Sequence, residues 1–281
     1  MYDRFRRKLP YPIPSLGTVV TYLKLFPPDN PVYVRLVGSR RNAYTDADLF
    51  KLVHVSPEEI QYRSPRFAGK WELAGRVVDG EWDRDPARYD ESSFVDGVDA
   101  SFHRSLERHF VDDVRWEETP FVREVLDCVA EGKTTWTCTD RHDVEEKCTR
   151  IDRLYERIAN DGYMTQEQRR RADIRDLKQS RRSRIFRWLK EYTVVGKDEI
   201  TVNVARDGTL LFFSGKHRMS IAKILGLDSI PVLVLARHEA WQAIRDAANE
   251  ERGLSAVLPA NRLDHPDLRD IEEQVETPTD S

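Results

Sequence analysis

Apolar positions recur with regular periods in the second half of this 281-residue chain. From Asp143 to Ala159, apolar side chains follow one helical stripe, and Gly162 suits a left-handed helix end. Ile200–Ala205 alternates as a strand does, and Arg206–Thr209 has the composition of a hairpin turn. The second strand of that hairpin is predicted over Leu210–Phe213.

The same half continues with a helix, a strand and a helix. Met219–Leu225 predicts a helix that stops at Gly226. Ile230–Leu235 is a continuous apolar run, typical of a buried strand, and Glu239–Ala248 predicts a closing helix.

The first 135 residues show a weaker pattern. Strands are predicted at Val32–Val37, Leu49–Val55 and within Gly75–Gly80. Helical spacing occurs over Phe102–Phe110 and Phe121–Val129. We therefore expect an α+β protein, with an N-terminal α+β region over 1–135 whose role the sequence does not assign. A better-organised domain follows over 136–248, with a helical insertion at 167–198.

Residues 249–281 differ in composition from the rest. From Asp264 to the last residue, seven acidic residues face one arginine, and Pro266 and Pro278 interrupt the segment. Such composition predicts a solvated, partly disordered acidic tail.

Charge and hydropathy exclude some classes of protein. The net charge of −4 argues against a general polyanion binder, so any nucleic-acid contact would need a local patch. No apolar run reaches the roughly 18 residues of a membrane span, and prolines follow the basic N-terminus where a signal peptide would have its apolar core. The sequence favours a cytoplasmic protein without a membrane partner.

Three cysteines lie ten residues apart, at Cys128, Cys138 and Cys148. An odd number at this interval suits neither a zinc site nor a disulfide framework. We interpret them as reduced thiols and expect no metal site in protein ligands.

The most informative segment joins the predicted strand 210–213 to the predicted helix 219–225. Its residues are Ser214, Gly215, Lys216, His217 and Arg218. Helix N-termini bind phosphate through unpaired N–H groups and the helix dipole. Glycine permits close approach of a phosphate, and the serine hydroxyl suits an N-cap. Cations at this end oppose the dipole, so three in a row indicate a bound anion.

This segment resembles a box of the ParB/sulfiredoxin superfamily: a Gly-Lys-His-Arg turn at 215–218, Ala-Lys-Ile-Leu-Gly at 222–226 and Ile-Pro-Val at 230–232. Upstream, residues 154–166 resemble that family's first box. The resemblance covers roughly residues 140–240. It implies a mixed sheet with flanking helices and a bound nucleotide, with Thr165 and Gln166 near it.

The branches of that superfamily imply different activities. Lys216 stands where sulfiredoxin has its cysteine, so that reaction lacks its nucleophile. A ParB-type DNA reader does not fit the acidic 45 residues after the core. The turn is closest to the sulfiredoxin and free-serine-kinase branches, although Ser214 replaces the usual kinase-branch aspartate.

The resemblance therefore implies an ATP- or ADP-dependent phosphotransferase acting on a small hydroxyl substrate, with CTP as another possible nucleotide. Mg²⁺ would be held mainly by phosphate oxygens. His217 is a candidate for proton transfer, and a carboxylate base is expected near the start of the 143–159 helix. The candidates are Asp143, Glu145, Glu146 and Asp152, of which Glu145 and Glu146 are taken as catalytic. Alternatives are a non-catalytic, DNA-associated or regulatory protein switched by nucleotide, and a scaffold with a degenerate pocket.

The insertion contains a basic segment, Arg169–Lys190, with ten Lys or Arg and two Asp. It fits an amphipathic helix with a charged outer face. It also fits a patch for DNA, RNA or another polyanion, or a lid that carries arginine to the nucleotide.

Overall fold

The computed structural model describes residues 45, 47, 52–65, 73, 75–165, 168, 199–250 and 264–271. Thr45–Gln166 and Asp198–Ser281 form one compact unit, and the description below is of that unit. The strand expected at Val32–Val37, the basic segment Arg169–Lys190, Gln166 and, apart from Gln168, the insertion at 167–198 lie outside the described residues.

The described residues form a mixed α+β structure, the class that the sequence predicts, with a six-stranded mixed sheet. The strands are β1 (Leu52–Val55), β2 (Tyr62–Arg63), β3 (Arg76–Val78), β4 (Ile200–Val204), β5 (Leu210–Ser214) and β6 (Ile230–His238). The helices are α1 (Phe102–Phe110), α2 (Pro120–Ala130), α3 (Arg141–Asp161), α4 (Lys216–Ile224) and α5 (Glu239–Glu250). Two 3₁₀ turns lie at Pro57–Glu59 and Trp116–Glu118.

The sheet has the strand order β1-β6-β4-β5-β2, and β3 also pairs with β6. β4 and β5 form the predicted antiparallel hairpin, with Val204 opposite Leu210. α4 then carries the chain across to β6, which is parallel to β4. β1 is antiparallel to β6 and β3 is parallel to it, so residue 135, the predicted domain boundary, lies inside one unit.

Central strands are buried along their whole length. Every residue of β4 and β6 is buried, which explains why Ile230–Leu235 is continuously apolar rather than alternating. β6 runs three residues beyond the prediction and places Arg237 and His238 in the interior.

The longest of the described helices, α3, begins two residues before its predicted first residue, Asp143, and ends before Gly162, as its sequence predicts. The Asp140 side chain accepts a hydrogen bond from Asp143 N at 2.9 Å and caps the first turn. Gly162, with φ of +76°, follows the last residue. None of the helices among the described residues combines the length and the apolar character that a bilayer crossing requires.

Helix α4 lies between two apolar cores. Met219 and Ala222 pack into the core of the sheet. Ile221 belongs to a second core, to which α1, α2 and α3 contribute. That core includes Phe102, Phe121 and Trp136. The start of α4 is therefore surrounded by side chains from the first half of the chain.

Residues 264–271 correct the interpretation of an acidic solvated tail. Leu268 and Ile271 are buried in the sheet core. The Asp267 carboxylate is fully buried and accepts hydrogen bonds from Arg237 Nε at 2.8 Å and Trp241 Nε1 at 3.0 Å. The acidic composition predicted a solvated segment, but cations from β6 and α5 neutralise this carboxylate in the interior.

All three cysteines are free thiols. Cys138 and Cys148 are buried, and burial raises the pKa of the Cys148 thiol to about 12. This agrees with the interpretation of the cysteines as unreactive, reduced side chains.

Candidate functional site

The segment 214–218 forms the predicted strand–glycine–helix connection. β5 ends at Ser214, Gly215 is the N-cap of α4 with φ of +103°, and Lys216 is the first helical residue. The Ser214 hydroxyl lies 3.0 Å from Thr201 Oγ1 on the neighbouring strand. The expectation that Ser214 caps the helix is therefore wrong, since its hydroxyl bonds to the sheet and the cap position has no side chain.

Gly215 is required by the protein's own backbone. A Cβ atom at this position would lie 2.9 Å from Ile200 Cα on β4. A left-handed φ and this close approach both demand glycine, whether or not a phosphate binds.

Lys216 extends over a group of aromatic rings. Its Nζ lies 4.7 Å from the centroid of Phe102 and 5.6 Å from that of Phe121. Phe94 and Trp136 follow at 5.9 and 6.0 Å. Ring faces attract a cation, so this half-buried ammonium is held at the helix start by cation–π contacts.

The imidazole of His217 packs edge-on against Phe102, with ring centroids 5.2 Å apart. Its Nε2 is buried and has no hydrogen-bond partner among the described residues. Burial, and then the positive charges of Lys216, Lys147 and Arg218, lower the pKa of His217 to about 3. The ring is therefore neutral near pH 7, with a polar nitrogen left without a partner in a positive environment.

Arg218 is buried and already neutralised. Its Nη1 lies 3.3 Å from Glu199 Oε2 and 3.3 Å from the Tyr163 hydroxyl, and the Glu199 side chain is only 1% exposed. The contact with Tyr163 joins the two boxes of the resemblance. The guanidinium that was expected to bind a phosphate thus binds a carboxylate of the protein itself.

Lys147 of α3 is a further cation of this site, which sequence reasoning missed. It donates to Trp136 O and to Thr137 Oγ1, and its Nζ lies 4.7 Å from the Trp136 ring centroid. Its charge acts on His217. One signal was available: position 147 lies three residues after Val144 and four before Ile151, on the buried stripe of α3.

The predicted catalytic carboxylates lie elsewhere. Glu145 and Glu146 are on the exposed face of α3, where they pair with Arg141 at 3.5 Å and Arg150 at 3.4 Å. Glu145 also lines a cavity of about 280 Å³ that includes no residue of the 214–218 turn.

The other two candidate carboxylates have structural partners. Asp143 accepts hydrogen bonds from the Thr139 backbone and hydroxyl, each at 2.8 Å. Asp152 accepts one from Trp116 Nε1 at 2.9 Å. In the part of the chain that the structure describes, Glu199 is the carboxylate that contacts the turn.

Thr165 is half-buried and lies two residues after Tyr163, whose hydroxyl contacts Arg218. Over the described residues, no group of three or more His, Cys, Asp or Glu side chains is arranged to hold a metal ion.

Compared with protein-family models, with curated proteins and with solved structures, the chain matches none of them.

Proposed function

We propose that the protein binds a phosphorylated ligand, a nucleotide such as ATP or ADP, at the N-terminal end of α4. One observation carries this proposal. The buried Nε2 of His217 has no partner among the described residues, and the positive charges of Lys216 and Lys147 act on the ring.

A phosphate oxygen supplies what the imidazole lacks. Neutral histidine carries one N–H donor, and a buried donor without an acceptor costs about 1–3 kcal/mol. The N-terminal N–H groups of α4 and its dipole favour an anion at the same end. A bound anion would also reduce the repulsion that lowers the pKa of His217.

The fold supports the resemblance to a ParB/sulfiredoxin-like domain. Strand β5, the turn at Gly215, helix α4 and strand β6 follow one another in the order of that family's box. The hydrogen bond between Tyr163 and Arg218 links its two boxes. On this basis the nucleotide would serve ATP- or ADP-dependent phosphoryl transfer to a small hydroxyl substrate.

The described side chains suit binding and orientation better than proton abstraction. A histidine with a pKa of about 3 is a weak base, and Glu199 is paired with Arg218. His217 would hold a phosphate oxygen rather than accept a proton. Mg²⁺ would neutralise phosphate charge when bound and would take most of its ligands from phosphate and water.

Titration calorimetry with ATP, ADP and CTP, with and without Mg²⁺, tests the proposal. Lys216→Met keeps the aliphatic stem over the aromatic rings and removes the charge. Because a hydrogen bond to a charged group contributes about 1.5–3 kcal/mol, affinity should fall at least about tenfold. Lys133→Met, a change at an exposed lysine of a surface pair, is the matched control and should leave affinity unchanged.

His217→Phe keeps the ring packing and should weaken binding in the same assay. Saturable binding that neither variant changes would refute the site, and so would the absence of binding by wild-type protein. Mg²⁺-dependent loss of the terminal phosphate to a small hydroxyl acceptor would establish the transferase. Binding without turnover would favour the nucleotide-switched alternative.

A further inference from the structure

A second cavity, of about 430 Å³, lies on the other side of α4. It is bounded by α1, by the end of α4 and by the segment around Tyr89. The lining side chains that matter here are His103, Glu107, Lys223, Arg88, Arg104 and Asp90. Its volume falls within the range of small-molecule sites in proteins.

Part of the lining is already paired within the protein. Arg88 Nε lies 3.0 Å from Asp90 Oδ1, and Arg104 Nη2 lies 3.3 Å from Asp90 Oδ2. The two guanidinium groups thus share one carboxylate, and Arg104 Nη2 also lies 3.7 Å from Glu91 Oε1.

Lys223 is poorly satisfied by comparison. Its side chain is only 10% exposed, and its Nζ lies 3.7 Å from Glu58, whose own side chain is 72% exposed. An ammonium has three donors, and a single long pair with a solvated carboxylate leaves most of that capacity unused.

His103 and Glu107 lie one helical turn apart on α1 and line the same cavity. The Nδ1 of His103 is buried without a hydrogen-bond partner among the described residues. Glu107 forms no ion pair within the described part of the chain, although its charge acts on His103. Burial, the largest cause, lowers the pKa of His103, so the ring is neutral near pH 7 and has one N–H to donate.

We propose that this cavity binds a small carboxylate that also carries an amino or hydroxyl group. The ligand carboxylate would accept hydrogen bonds from Lys223 Nζ and from His103, and its amino or hydroxyl group would donate to Glu107. This arrangement gives hydrogen-bond partners to the little-exposed Lys223 and to the buried Nδ1 of His103, and it uses the exposed carboxylate of Glu107 to hold the donor group.

The cavity is separate from the turn at 214–218. Lys216 and Lys223 lie seven residues apart on α4, a separation of about 10 Å along the helix axis. The buried Tyr89 hydroxyl bonds to the helix between them, at 2.9 Å from Ser220 Oγ and 3.2 Å from Lys216 O, and no residue of the 214–218 turn lines the cavity. The proposal therefore does not depend on nucleotide binding.

Calorimetric titration of the full chain with glutamate, malate and succinate tests it. Glutamate carries an amino donor, malate a hydroxyl donor, and succinate neither. We expect glutamate, malate or both to bind saturably, with a Kd below about 10 mM and more tightly than succinate. Lys223→Met should weaken this binding at least about tenfold, whereas Lys216→Met, which disables the proposed nucleotide site, should leave it unchanged.

Glu107→Gln should bring the affinities for malate and glutamate closer to the affinity for succinate, without weakening the binding of succinate. A measurement on the wild-type protein does not depend on whether a variant folds. The imidazole nitrogen resonances of His103 should shift when the protein is titrated with the acid that binds. The absence of saturable binding, an unshifted His103, or binding that survives Lys223→Met in folded protein would each overturn the proposal. Equal binding of inorganic phosphate would do so as well.

Discussion

The guanidinium of Arg218 and the carboxylate of Glu199 form a buried ion pair, with Nη1 and Oε2 3.3 Å apart. Arg218 is 8% exposed and Glu199 is 1% exposed. The pair links the first turn of α4 to the residue immediately before β4. Arg218 therefore stabilises the start of α4, where Lys216 and His217 also lie.

Removing one partner of this pair should destabilise the protein strongly. Arg218→Ala leaves a buried carboxylate without a cation, and such a loss costs about 3–5 kcal/mol. Urea denaturation should show this decrease, and the double variant Arg218→Met with Glu199→Gln should recover part of it. A decrease below about 1 kcal/mol for Arg218→Ala would show that the pair is not buried in solution.

Gly215→Ala should unfold the site by forcing β4 and α4 apart. The new Cβ would meet Ile200 Cα at 2.9 Å, in addition to the strain of a φ of +103°. Gly80→Ala is the matched control, because its φ is +92° and a Cβ added there would have no other atom within 4 Å. The control isolates the conformational strain of about 1–2 kcal/mol. Equal midpoints of urea unfolding for the two variants would contradict a close approach at Gly215.

His217 should make stability depend on pH below neutrality. Its pKa falls from 6.5 to about 3 on folding, so the unfolded chain binds the proton more readily. Stability from this group is fully present above pH 6.5 and is lost as the pH falls toward 3, by at most about 1.4 kcal/mol per pH unit.

Urea midpoints measured between pH 7 and pH 4 for wild type and His217→Phe test this linkage. The wild type should lose stability more steeply than the variant, since other titrating groups are common to both. His142→Gln, at an imidazole whose side chain is 78% exposed, is the control and should follow the wild type. Parallel curves for wild type and His217→Phe would show that the imidazole is solvated.

Asp267→Asn should destabilise the fold although it lies in an acidic, C-terminal segment. The carboxylate accepts hydrogen bonds from Arg237 and Trp241, and Arg245 pairs with it from α5. The neutral amide leaves the buried Arg237 guanidinium without its carboxylate and removes one of the two carboxylates near Arg245, a loss of about 3 kcal/mol or more. Asp264→Asn, at a side chain that is 94% exposed, should change the unfolding free energy by less than about 0.5 kcal/mol. Similar melting temperatures for the two variants would show that Asp267 is not buried.

Local pattern was enough to place the elements around the site. The hairpin 200–214, the glycine before α4 and the glycine that ends α3 follow from alternation and from glycine positions. These patterns involve residues that are close in sequence, so they can be recognised without knowledge of the fold. The same local reading failed for Ser214, because its hydroxyl bonds to Thr201 across the hairpin.

Side-chain partners distant in sequence were not predictable from one chain. α3 offered Glu145 and Lys147 two positions apart. Periodicity places position 147 on the buried stripe, but only packing shows that its ammonium contacts the Trp136 ring, while Glu145 pairs with Arg141 on the exposed face. Residues 264–271 have a composition that fits a solvated tail, yet buried cations make that segment part of the core.

By itself, the sequence determined the α+β class, the strand–glycine–helix connection at 214–218 and its excess of cations. Only the tertiary structure decided which of those cations is neutralised: Glu199 pairs with Arg218, while aromatic rings from α1, α2 and the loop before α3 hold Lys216. The physical reason is range. Hydrogen-bonded turns and helix ends depend on neighbouring residues, whereas burial and charge compensation depend on side chains that only the packed fold brings together.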